Sequence, residues 1–178
     1  MNQPFENSPL LQARIAGLFW VICIAGGIYG YFPARGTHLG KDSILIAGAA
    51  YLVVTVLLYT LLRAVNQIVA MLAAAFGIIG IATSGEGSFY FGIQCILVGS
   101  LVMMSTFLPR VLGILMVLAG LGQALFVSTL LPAHIAVKLA PIGFISDGIG
   151  EIAFALWLLI VGVNVAQWHR ARGTISTS

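Results

Sequence analysis

Long apolar stretches with few polar interruptions set the pattern of this chain. Unbroken runs such as Ile44 to Leu62 and Ile152 to Val165 are separated by short segments that hold the charges, prolines and glycines. Read as helices, the runs fall at 14–33, 43–63, 68–83, 89–107, 111–131 and 142–166. At about 1.5 Å per residue, some 20 residues make a helix that crosses the roughly 30 Å hydrocarbon core of a bilayer. A transmembrane barrel predicts strands of about ten residues with alternating hydrophobicity, and the unbroken runs exclude it. The connections 64–67, 84–88 and 108–110 are so short that consecutive helices must run antiparallel. The pattern therefore predicts an all-α, polytopic transmembrane helical bundle, one domain over residues 1–178 with about six spanning helices.

Composition points the same way. Hydrophobic residues make up 60% of the chain and charged ones 7%, with a mean hydropathy of +1.08, a mix that no water-soluble domain can cover. The formal net charge of +3 comes from scattered Lys and Arg, not from a basic stripe with interleaved aromatics, so nucleic acid is not expected as a partner. The basic residues instead report topology. Arg14, Arg63, Arg110, Arg170 and Arg172 fall on the side of the termini and Arg35, Lys41 and Lys138 on the other, which places both termini in the cytoplasm. Tyr29, Tyr31 and Phe32 end the first helix on the face where Phe89, Tyr90 and Phe91 begin the fourth, as interfacial aromatics should. Residues 1–13 are polar, and the run after them lacks an A-x-A cleavage pattern, so it is read as a retained first helix.

Small residues supply a means of close packing in lipid, where association relies on backbone approach. Gly26 and Gly30 form a GxxxG; Gly92 with Gly99, Gly113 with Gly120, and Gly143 with Gly150 recur at seven residues on one face of helices four, five and six. Intramolecular packing is the leading reading and a homodimer seam the alternative. Cys23 and Cys95 lie inside apolar runs and read as small hydrophobes, not as a disulfide.

Polar groups inside the spans are where chemistry is sought, because a mid-bilayer carboxylate costs on the order of 3 kcal/mol. Asp147 and Glu151 are four residues apart and share a helix face; Gln94 lies in helix four and Gln123 in helix five. If helices four to six are neighbours, these four line one polar pocket in the outer half of the membrane, with Arg35, His38, His134 and Lys138 near its mouth. Two carboxylates so close in an apolar setting resist ionising together, which suits a proton or cation. A second reading makes Asp147 the N-cap of helix six and Glu151 part of its first turn. Haem is not expected, since His38, His134 and His169 fall in connections or tails; nor is retinal, with Lys41 and Lys138 at helix ends. No metal-ligand spacing and no nucleotide motif is present, so no cofactor is anticipated.

From helix four onward two stretches carry a resemblance: FYFGIQCILVGSLVMMSTFLPRVLGILMVLAGLG and APIGFISDGIGEIAFALWLLIVGVN. They resemble the bacterial integral membrane family catalogued as domain of unknown function 4386, a likeness that also touches ARIAGLFW near the start. The resemblance implies a compact multi-pass bundle in the bacterial plasma (inner) membrane and brings no established activity. It carries over Pro109, Arg110, Gly113, Gly150 and Glu151 as motif positions. Members have histidine where this chain has Gln94, which removes any chemistry such a histidine serves, and they are longer between helices two and four. With no reactive constellation in view, a binding, sensing or scaffold role ranks first, a proton- or cation-coupled small-solute transporter second and a lipid-modifying enzyme third. Membrane lipid is the expected partner; the small-molecule ligand is left unnamed.

Overall fold

A computed structural model of the chain describes residues 8–83, 87–124 and 133–175. The described residues form α1 (Pro9–Tyr31), α2 (His38–Leu62), α3 (Gln67–Ala82), α4 (Gly87–Met104), α5 (Arg110–Ala124), α6 (Ala133–Ile160) and α7 (Val165–Ile175), with no strand among them.

Local chemistry explains most boundaries. Pro9 opens α1 in the first turn, where a missing N–H costs nothing. Thr37 caps α2 by accepting from Gly40 N at 3.0 Å, and Asn66 caps α3 by accepting from Ile68 N and Val69 N, each at 3.1 Å. Gly162 adopts φ 77° at the end of α6, and the amides of Val161 and Gly162 both reach the Trp157 carbonyl at 2.9 Å. Asn164 then caps α7, its Oδ1 accepting from Gln167 N at 3.2 Å.

Several sequence expectations need correction here. Helix six does not run from 142 to 166: α6 begins at Ala133, continues through Pro141 and stops at Ile160, because the left-handed glycine and a new N-cap turn the chain into a separate α7. Asp147 is consequently no N-cap, since it lies well inside α6. Helices one and two also start earlier than 14 and 43, at Pro9, which suits a first turn, and at His38, behind the Thr37 cap. The predicted 125–131 portion of helix five and residues 84–86 of the loop before helix four lie outside the described residues.

Helices α1 to α6 close a ring in chain order, each packed on the next and α1 packed on α6, while α7 crosses the end where α1 begins. The interior is filled by Trp20, Val54, Leu61, Leu101, Met116, Phe154 and Leu158, all buried. The outside is just as apolar. Ile142, Ile145, Ile149 and Ile152 point outward along α6, and Leu45, Ile46 and Val56 do so along α2. A helix apolar on all sides, with its outer face unpartnered, fits lipid as its solvent. Among the described residues three helices are long and apolar enough to cross a membrane, α1, α2 and the Pro141–Ile160 part of α6; the described parts of α3, α4 and α5 are apolar but shorter. The protein is thus a helical bundle of membrane type.

Glycines set how closely the ring closes. A Cβ on Gly99 would sit 2.6 Å from the Gly113 carbonyl oxygen, and one on Gly113 would sit 2.6 Å from that of Gly99, so α4 and α5 meet backbone to backbone. A Cβ on Gly150 would likewise sit 2.5 Å from the Leu115 carbonyl oxygen, so α6 closes tightly on α5. The glycine faces noted in the sequence are therefore occupied within the chain.

Candidate functional site

Asp147 and Glu151 stand one turn apart in α6, on the face turned toward α5 and the ring interior. Measured from Pro141, Glu151 is about 15 Å along the helix, half the thickness of a bilayer core. Gln123, near the far end of α5 and only 7% exposed, joins them: its Nε2 donates to Asp147 Oδ1 at 2.6 Å and to Glu151 Oε1 at 3.2 Å. Cys95 on α4 turns its Sγ to the same Glu151 oxygen at 3.7 Å. Both carboxylates are half-buried, whereas Cys95 and Gln123 are buried.

Three of the four residues expected from the sequence therefore converge. Gln94 does not join them. It faces α2 and α3, accepting from Tyr51 Oη at 2.9 Å, and it fits only because Gly77 has no side chain: a Cβ there would lie 2.7 Å from Gln94 Cδ. Helical geometry makes this split unavoidable, since neighbouring positions such as Gln94 and Cys95 point about 100° apart. Arg35, His38, His134 and Lys138 are exposed, and none of them pairs with either carboxylate. Among the described residues no cation does.

Residues missed in the sequence complete the site. Trp20 of α1 is 1% exposed and edge-on to Phe154, with centroids 5.4 Å apart, and to Tyr51 at 6.3 Å. Its indole N–H lies against the Glu151 carboxyl yet meets no acceptor in hydrogen-bonding geometry. Gln123 Oε1 is likewise buried and unpartnered. A tryptophan in the middle of a span, away from the interface where the residue is normally enriched, was the available signal for Trp20. Cys95, hidden inside an apolar run, offered none.

Residues 83–162 match the family model described as Domain of unknown function (DUF4386). This bears out the resemblance read in the sequence. The DUF4386 segment runs from the start of α4 to the turn after α6, and so contains Gln94, Cys95, Gln123, Asp147 and Glu151, while Trp20 and Tyr51 come from helices before it. No curated protein and no solved structure matches the chain.

The motif positions of the DUF4386 segment have structural work at the opposite end of the bundle. Pro109 and Arg110 start α5, and Gly113 makes the contact with Gly99. Asn164, just past the segment, donates its backbone N–H to the Phe107 carbonyl at 3.1 Å, so the loop before α5 docks on the turn after α6. A depression of about 390 Å³ lies there, lined by Thr106, Pro109, Trp157, Asn164 and Gln167 among others. It holds no titratable side chain among those residues, in contrast to the acid pair. Gly150 belongs to that second region, where its contact with α5 fixes the helix between Asp147 and Glu151.

Proposed function

We propose that the protein is a multi-pass protein of the bacterial inner membrane that binds a small cationic ligand at Asp147 and Glu151. The observation that carries this reading is a pair of carboxylates bridged by Gln123 within the apolar Pro141–Ile160 stretch, with no cation beside them among the described residues. Such an arrangement is costly, and ligand binding is the usual reason for keeping it. Six crossings with both termini cytoplasmic complete the proposal. The alternating directions of α1 to α6 around one ring support the count, and the five arginines on the side of the termini against three basic residues on the other support the orientation.

A binding or sensing role is favoured over transport by the packing beyond the pair. Toward α7 the interior is plugged by Phe154 at 0% exposure together with Leu158, Leu101 and Met116, which leaves no open path through a single bundle. Coupled transport is the second reading, because an acid at half depth is where alternating access places a coupling site.

The test is native mass spectrometry of protein released from its own membranes, wild type beside Glu151→Gln, with equal folding confirmed by circular dichroism. A small adduct on the wild type that is missing from the variant supports the reading. Identical adducts and stoichiometry in both exclude a retained organic or metal cation at the pair.

A further inference from the structure

We infer that the ligand of the acid pair is a proton, held as one exchangeable proton shared by Asp147 and Glu151. The inference deepens the reading above and rests on it. Among the described residues, the groups that bond or lie against the pair belong to neutral side chains. Gln123 of α5 presents its amide nitrogen to both carboxylates, Cys95 of α4 its thiol to Glu151, and Trp20 of α1 its indole N–H to the same carboxyl. Tyr51 of α2 and Cys23 of α1 also lie close enough to feel the charge of Glu151, and no Lys, Arg or His pairs with either acid among the described residues.

A shell of donors compensates one negative charge. It adds no oxygen to the four of the two carboxylates, fewer than the six or more that a hard metal ion takes, and no group of three metal-ligating side chains is present among the described residues. Nor does it suit an organic ammonium, whose N–H groups would meet the N–H groups of Gln123 and Trp20. A proton needs only a carboxyl oxygen, and it reduces the charge of the pair from two to one, the change that burial and like-charge repulsion both favour. Gln123 is matched to that exchange. Its Oε1 is buried and without a partner, so a half-turn of the amide replaces donor by acceptor and the same side chain faces the pair in either state. Asp147 and Glu151 are half-buried as residues, and a pH series reads whether the proton exchanges.

The experiment uses the full chain in lipid nanodiscs. Infrared difference spectra across a pH series should show a reversible protonated-carboxyl band in the wild type that is missing from Asp147→Asn/Glu151→Gln. Should the double variant fail to fold, dicyclohexylcarbodiimide, which attacks protonated carboxyls in apolar sites, is applied to the wild type alone. Its adduct should map to Asp147 or Glu151 and fall about tenfold per pH unit once the proton leaves. A band that persists in a folded double variant, or labelling of the pair that ignores pH, overturns the inference. Calorimetry with sodium, potassium and tetramethylammonium chloride separates the two claims. A saturable heat lost in Glu151→Gln, with no carboxyl band, sinks the proton and leaves a cation site; neither heat nor band sinks both.

Discussion

Adding one methyl group at the α4–α5 crossing tests the packing that brings Cys95 and Gln123 to the acid pair. In Gly99→Ala the new Cβ would lie 2.6 Å from the Gly113 carbonyl and 2.9 Å from the Val117 backbone nitrogen. Ordinary contact begins at 3.4 Å, so the two helices must part by about 0.8 Å. Overpacking of this kind costs about 1–3 kcal/mol, and the upper half of that range applies because backbone atoms cannot rotate aside. Alanine's advantage over glycine inside a helix returns about 1 kcal/mol, leaving a net loss of about 1–2 kcal/mol. Gly113→Ala meets the same crossing from the other side, at 2.6 Å from the Gly99 carbonyl, and should cost the same. The double variant should cost less than the two together, since helices already parted for one methyl accept the second. Gly27 and Gly148 have nothing within 4 Å of the place a methyl would take and serve as controls, expected to be neutral or to gain up to about 1 kcal/mol. Reversible unfolding of all five variants and the wild type in mixed micelles measures the set. If Gly99→Ala proves as stable as Gly27→Ala, or the two crossing substitutions add fully, the backbone contact between α4 and α5 is not what holds this ring together.

Tyr51→Phe should destabilise the bundle by about 1–3 kcal/mol, because Gln94 Oε1 loses its donor in a buried setting; Gln94→Leu added to it should recover part of that loss in the same unfolding assay. Trp168→Phe removes the 3.0 Å bond from the indole N–H to the Leu61 carbonyl while keeping an aromatic ring, so a loss of about 1 kcal/mol and faster proteolysis within α7 are expected. Unchanged protease sensitivity would show that α7 is held by other contacts.

The hydrophobic pattern by itself determined the class of the molecule. Apolar runs of spanning length require helices with internally satisfied backbones, and short connections require neighbours to alternate in direction, so the bundle and its order were legible without coordinates. The i, i+4 spacing likewise put Asp147 and Glu151 on one face, and Gln123 was legible as a buried polar group. Periodicity could not place the start of α6, because the residues before Pro141 are as apolar as those after it; the N-cap reading of Asp147 failed for that reason. The end of α6 depended on the φ of Gly162, one glycine among many. Which polar residues meet was decided only by the closing of the ring. Rotation of α4 about its axis sends Gln94 to Tyr51 and Cys95 to Glu151, and the packing of α1 against α6 carries Trp20 to a carboxyl more than a hundred residues away. Such contacts arise from the geometry of helix crossings, where a glycine at one position sets the approach of two backbones, and no local pattern in the chain encodes them.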